Sequence, residues 1–159
     1  RDPVPNHRAG VNTLIRLVAS QRQAGIKRWM YYWTKRPPVD RALSHGSFMH
    51  PDGSPMPTAL AYAACAYLLE NTDAVGSAAL PNGVSVTFFR RSDSSTVAVL
   101  WADEPTMVTV TEDAGTFAVF DVMSNPDARS TRTINITTEP LFLSFSESVD
   151  ETAFRTVPP

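Results

Sequence analysis

After Gly83 the hydrophobic period of this chain changes to two and stays there for most of the remaining length. Residues 84–90, 96–102, 106–112, 116–123, 131–137 and 141–146 are six strand candidates. Successive side chains on a strand point to opposite faces, so each segment offers one apolar face. Turn signals separate them: Arg91-Ser92-Asp93-Ser94-Ser95, Asp103-Glu104-Pro105, Asp113-Ala114-Gly115, Ser124-Asn125-Pro126-Asp127 and Glu139-Pro140. Short strands at a spacing of about 8–12 residues predict an antiparallel sandwich. Its core is expected from Val84, Val86, Phe88, Val97, Val99, Trp101, Val108, Val110, Phe117, Val119, Ile134, Ile136, Phe142 and Phe145. No pattern continues beyond Ser148, and the tail is expected to fray.

The residues before Gly83 follow different rules. Pro3 and Pro5 mark a loop, and Asn6 can cap a helix over 7–24. Val11, Leu14, Ile15 and Val18 recur at helical spacing, Arg8, Asn12 and Arg16 form the wet face, and Gly25 is the stop. An aromatic stretch over 26–34 reads as a strand, and a polar loop follows to His50. Asp52-Gly53 then turns the chain into a second helix, with Ser54 as the expected cap and Pro55 at its first position. Met56, Leu60, Ala64, Tyr67 and Leu68 form one stripe, and Tyr62, Cys65, Ala66 and Leu69 another. A helix apolar most of the way round packs on more than one side.

Helix, strand and helix in succession are the alternation of an α/β protein, yet this region holds one strand. A lone strand leaves its backbone groups unpaired. Residues 1–73 are therefore expected to be the end of a larger parallel α/β domain. On that view the strand is poorly paired, the apolar helix faces stay exposed, and the segment exchanges its amides quickly.

Composition excludes several classes of function. The chain has 159 residues and a net charge of −2, and its 14 basic residues are scattered, which argues against a nucleic-acid partner. No apolar run approaches the ~20 residues of a membrane helix. Cys65 stands alone, so no internal disulfide can form, and a thiol in an Ala-rich helix reads as a small buried hydrophobe. One cysteine with His7, His45 and His50 matches no metal-ligand spacing, and no cofactor is expected.

The arrangement resembles the C-terminal portion of a retaining TIM-barrel glycoside hydrolase of the β-xylosidase/α-L-iduronidase type, with its appended β-sandwich. Four stretches carry the resemblance. Arg28-Trp29-Met30-Tyr31-Tyr32-Trp33 looks like barrel strand eight, and Gly46-Ser47-Phe48-Met49-His50-Pro51-Asp52-Gly53-Ser54-Pro55-Met56-Pro57 like the approach to helix eight. Phe88-Phe89-Arg90-Arg91-Ser92-Asp93 with Val97-Ala98-Val99-Leu100-Trp101 looks like a sandwich hairpin. Phe120-Asp121-Val122-Met123-Ser124-Asn125 and Pro140-Leu141-Phe142-Leu143 look like its closing strands. The resemblance implies a barrel end over 1–75, with the helix over 7–24 as barrel helix seven, and an accessory sandwich over 76–159. It also implies a secreted or cell-surface protein whose partners are a carbohydrate substrate and the remainder of the barrel.

Retaining glycosidases use two carboxylates about 5 Å apart. In the family these end strands four and seven, so both are expected upstream of Arg1, and the chain alone is expected to be inactive. Asp2 lies near the end of the nucleophile strand, but in a Pro-flanked loop and where the family uses Glu. Active sites of such barrels sit at the C-terminal ends of the strands. Trp33 and Tyr32 fall there, and the resemblance implies that they contact substrate, with Trp33 stacking on a sugar ring. The competing reading makes Trp33 a core aromatic at the barrel rim. Trp29 and Tyr31 read as core, Trp101 as core rather than a sugar platform, and Asp40, His45 and His50 as loop residues. Asn135-Ile136-Thr137 matches a glycosylation sequon by pattern. A different class of function also fits: a non-catalytic sandwich module that binds carbohydrate or protein, with the first segment as a docking arm.

Overall fold

A computed structural model describes residues 7–27, 48–49, 52–127 and 131–157. Helix α1 spans His7–Gln23 and helix α2 spans Pro57–Leu68. Nine strands follow: β1 Thr72–Leu80, β2 Val84–Arg91, β3 Thr96–Ala102, β4 Thr106–Val110, β5 Phe117–Phe120, β6 Pro126–Asp127, β7 Thr133–Ile136, β8 Leu141–Phe145 and β9 Phe154–Thr156. They form a six-stranded sheet in the order β1-β2-β3-β8-β5-β6 and a three-stranded sheet in the order β7-β4-β9. Every pairing is antiparallel. From β3 onward the chain crosses between the sheets five times, so neither sheet is complete until the last strand is placed.

The expected sandwich is present, and the expected strand positions hold to within a few residues. Val84, Val86 and Phe88 of β2, Ala98 and Leu100 of β3, and Leu143 and Phe145 of β8 meet Val108, Val110, Ile134, Ile136 and Phe154 from the facing sheet. Two expected core aromatics, Trp101 and Phe117, are only half-buried, and Val97, Val99 and Phe142, also expected in the sandwich core, face the other side of the six-stranded sheet.

Three features depart from the sequence reading. A nine-residue strand, β1, precedes Gly83 and begins at Thr72, ahead of the boundary expected at 75/76. It pairs with β2 along its length, with an irregularity between Ala74 and Gly76. The β1–β2 connection, Pro81-Asn82-Gly83, is tight because Asn82 and Gly83 both take positive φ, 60° and 72°. The tail does not fray: Asp150 caps a short turn by accepting from the Thr152 amide at 2.9 Å, and β9 then pairs with β4. Ser54 is not the cap of α2. Its amide and hydroxyl both donate to Asp52 Oδ1, at 2.9 and 2.7 Å, closing a local turn. Met56 holds the cap position without a side-chain hydrogen bond, and its amide donates to the Phe48 carbonyl at 2.8 Å. Pro57 therefore takes the first helical position, where its missing N–H costs nothing.

The largest correction concerns the helices. Their main apolar faces are not left without a partner: the six-stranded sheet is buried on both sides, and the helices supply the second cover. Val11, Leu14, Ile15 and Val18 of α1 and Ala61, Cys65 and Leu68 of α2 pack on Phe89, Val97, Val99 and Phe142. Thus β3 buries Ala98 and Leu100 toward one layer and Val97 and Val99 toward the other. The unbroken apolar run Val97-Ala98-Val99-Leu100 is the signature of a strand covered on both faces. Among the described helix residues the expectation of exposed apolar surface survives on one side of α2, where Leu60 and Tyr67 are 48% and 71% exposed, and at Leu17 of α1. Beyond Lys27, the expected aromatic strand lies outside the described residues.

Both helices end in defined ways. At the end of α1 the Ile26 amide donates to the Gln21 carbonyl and the Gly25 amide to the Arg22 carbonyl, each at 3.0 Å, with Gly25 at φ 85°. This is the Schellman arrangement that the sequence announces with Gly25. At the end of α2 the Arg91 guanidinium donates to the Leu68 carbonyl at 2.9 Å, so a strand side chain satisfies a helix-end acceptor.

Ile15, fully buried between helix and sheet, tests this packing. Ile15→Ala is expected to destabilise the whole fold by about 2–5 kcal/mol in urea unfolding. Helix ellipticity and tryptophan fluorescence should report one shared transition. Early loss of the helix signal with an unchanged sheet transition would show a loosely attached helix layer.

Candidate functional site

The residues expected to contact substrate, Trp33 and Tyr32, lie outside the described residues. So do Asp2, Trp29, Tyr31, Asp40, His45 and His50. Three other singled-out residues are placed. Asn135 is exposed on β7, directly across from Met107 of β4. Cys65 is buried in the helix–sheet core. Trp101 packs against the helix layer, and the Arg16 guanidinium lies 5.7 Å from the centre of its ring. A cation over the ring occupies the surface that a sugar would need.

Arg16 belongs to a polar group that the sequence reading assigns to solvent. Arg8, Asn12 and Arg16 follow one another at four-residue steps, so they share a flank of α1. The structure turns that flank toward the β7–β8 connection. Arg8 Nε donates to Glu139 Oε2 at 2.6 Å, and Arg16 Nη2 donates to the Thr138 carbonyl at 2.6 Å. Arg16 Nη1 also lies 3.8 Å from Asp103 Oδ1. Between helix and connection is an open cleft of about 320 Å³ lined by Arg8, Ala9, Asn12, Thr13, Arg16 and Thr138. Two buried atoms of this group, Asn12 Oδ1 and Arg16 Nε, have no hydrogen-bond partner. The sequence signal for the cleft is the absence of any acidic residue on α1 beside its arginines. The carboxylates that answer Arg8 and Arg16 come from distant segments, so spacing alone does not reveal them.

Three described aspartates close turns. Asp93 is held below the usual carboxylate range, first by its hydrogen bonds from Ser95, in the turn between β2 and β3. Asp150 is lowered in the same way by Thr152. Asp121 accepts from the amides of Met123 and Asn125, each at 2.8 Å, which closes the turn after β5. Burial pushes the Cys65 thiol up to about 12, against a smaller opposing pull from Arg22. Among the described residues there is no cluster of three or more His, Cys, Asp or Glu that could hold a metal ion. No described helix is long and apolar enough to cross a membrane.

No protein-family model matches the chain, and no curated protein matches it. Among solved structures, the chain is similar to a family 39 glycoside hydrolase from the gut symbiont Bacteroides cellulosilyticus. The match has a TM-score of 0.63 and 18% sequence identity, and it covers 85% of this chain. The chain spans about 30% of the length of that enzyme. The likeness is one of fold: a sandwich with adjoining helices recurs as part of a larger glycoside hydrolase.

Cys65 provides a direct probe of the helix layer. Its thiol is buried and protonated at neutral pH, and the thiolate is the reactive species. Ellman's reagent should label it at least roughly a hundredfold more slowly in the native chain than in urea. Labelling at the unfolded rate in native buffer would show that α2 separates from the sheet.

Proposed function

We propose that this chain is the C-terminal part of a glycoside hydrolase acting on O-glycosidic bonds of oligo- or polysaccharides. In this reading the sandwich braces a (β/α)₈ barrel, α1 and α2 are the last barrel helices, and residues 1–75 are the barrel's end. The observation that carries the reading is the second apolar face of α2. One side of this helix is buried on the six-stranded sheet, while Leu60, Ala63 and Tyr67 on the other are exposed. A helix between a barrel and a sandwich needs both sides apolar, since each faces a different core. The structural likeness to the family 39 enzyme, which is more than three times as long as the matched region, supports the same placement. The rest of the barrel is the occupant proposed for that face, and a carbohydrate is the proposed substrate. Trp33 and Tyr32 are the substrate contacts in this proposal, and both catalytic carboxylates belong to the remainder of the barrel. An exported protein is the location that fits such a substrate.

The alternative of a carbohydrate-binding module finds less support. The outer face of the three-stranded sheet presents Met107, Thr109, Thr133, Asn135 and Arg155, with no aromatic ring for a sugar to stack on. The outer face of the other sheet is covered by α1 and α2.

The test compares the 159-residue chain with the complete enzyme. Leu60→Asp combined with Tyr67→Asp should leave the thermal midpoint of the short chain nearly unchanged, since both positions are exposed there. In the complete enzyme the same pair should lower the midpoint by several degrees, because buried charges are costly. Trp33→Ala should reduce kcat/KM on aryl glycosides by about tenfold or more without unfolding the protein. A complete protein that cleaves no glycoside, or a double variant equally harmless in both forms, would overturn the proposal.

A further inference from the structure

The connection between β1 and β2 has no role in the reading above, yet it carries a reactive pair. The chain holds six asparagines, and Asn82 is the one followed by glycine. A side-chain amide before glycine is open to attack by the next backbone nitrogen, because no Cβ shields that nitrogen. Apart from its chain neighbours, Gly83 has nothing within 4 Å of the place a Cβ would take, and both residues are exposed.

The reaction of such a pair has a strict geometric demand. The Gly83 nitrogen attacks Asn82 Cγ, the Cγ–Nδ2 bond breaks, and ammonia leaves with the proton of the Gly83 amide. The product is a five-membered succinimide. Its ring needs the Gly83 nitrogen on the same side of the Cα–C bond as Asn82 Cβ, which an L residue reaches at strongly negative ψ. Asn82 has ψ 31°, which turns that nitrogen almost directly away from Cβ. The closed turn therefore holds nucleophile and target apart. Two features keep it closed. Leu80 pairs with Val84, which leaves three residues to reverse the chain. The buried Thr106 hydroxyl lies 3.3 Å from the Asn82 carbonyl and 3.1 Å from that of Glu104, and so ties the turn to the β3–β4 connection.

We propose that Asn82 is a site of spontaneous deamidation that the closed β1–β2 turn suppresses and that opening of the turn releases. The site stands on this geometry and does not depend on the barrel reading. Water, the second reactant, opens the succinimide at either carbonyl. Opening at Cγ leaves aspartate, which tolerates the left-handed conformation. Opening at the backbone carbonyl leaves isoaspartate, with one more methylene in the main chain. A three-residue connection with φ of 60° and 72° at Asn82 and Gly83 cannot absorb that carbon and keep the β1–β2 register. Ala78 and Leu80 then lift from the sandwich core they pack against. The modification turns a transient opening of β1 into a permanent loss of its packing, and it marks chains that have spent time open.

The experiment incubates the 159-residue chain at mildly alkaline pH, both native and in guanidinium chloride. Peptide mass spectrometry follows the replacement of the Asn82 amide by a carboxyl, and an isoaspartyl methyltransferase assay counts the rearranged product. Asn82 should convert in denaturant, and at least about tenfold more slowly in the native chain. Asn71, followed by Thr72, should stay largely intact in both, although its φ of 53° is also positive. Thr106→Val removes the tie on the Asn82 carbonyl. It should speed native conversion about threefold or more and leave the rate in denaturant unchanged. Thr106→Ser keeps the hydroxyl and should react as slowly as the parent chain. If Thr106→Val fails to fold, the comparison of native and denatured parent chain still decides. Native conversion as fast as in denaturant would overturn the proposal. So would the absence of conversion in denaturant, or a folded Thr106→Val chain that reacts no faster than the parent.

Discussion

The six-stranded sheet is apolar on both faces, and everything else in the structure follows from covering it. One face carries Val86, Phe88, Leu100, Leu143 and Phe145, and the other carries Phe89, Val97, Val99 and Phe142. Burying one large apolar side chain is worth roughly 1.5–3 kcal/mol, so neither face could remain wet at a tolerable cost. The three-stranded sheet is narrower than its partner and covers one side. Helices α1 and α2 cover the other, and the chain places them before the strands they protect. The result is three layers with two cores that meet across a single sheet.

Arginines hold the edges of the helix layer. Arg22 donates to Thr72 Oγ1 at 3.1 Å and lies 5.7 Å from the centre of the Phe89 ring. Arg91 reaches from β2 to the end of α2, and Arg16 and Arg8 reach from α1 to the β7–β8 connection. Exposed ion pairs such as Arg8–Glu139 contribute little, ~0–1 kcal/mol, and serve mainly to set orientation. The bonds to backbone carbonyls matter more, because Leu68 and Thr138 offer acceptors that would otherwise rely on water.

The strands with strong patterns were legible from sequence, and those with weak ones were not. Thr96–Ala102 and Leu141–Phe145 are rich in Val, Leu and Phe, and their positions follow from composition and turns. Strand β1 escapes that reading because Thr-Asp-Ala-Val-Gly-Ser-Ala-Ala-Leu holds little β-branched or aromatic character, and pairing with β2 makes it a strand. Strand β9 has three residues, too few to show any period. The helix stripes were visible, but periodicity reports that a face is buried and not what buries it. The stripes alone fit a barrel sheet as well as a sandwich, while the continuous apolar run in β3 points to a second cover on the sandwich. For function, the aromatic pair Trp33 and Tyr32 lies outside the described residues. The cleft was masked because Arg8, Asn12 and Arg16 look like any solvated helix flank until Thr138 and Glu139 are brought beside them.

The helix layer also connects the fold to its proposed role. A brace must be rigid where it meets what it supports, and α2 joins the sandwich core on one side while leaving Leu60 and Tyr67 free on the other. The account therefore depends on α1 and α2 being integral to the sandwich. Amide hydrogen exchange of the 159-residue chain measures this most directly. If the helices share the sheet's core, the amides of Val11 to Ala19 should exchange only through global opening, with protection equal to that of β3 and β8. Fast exchange across Val11 to Ala19, with β3 and β8 still protected, would contradict the account.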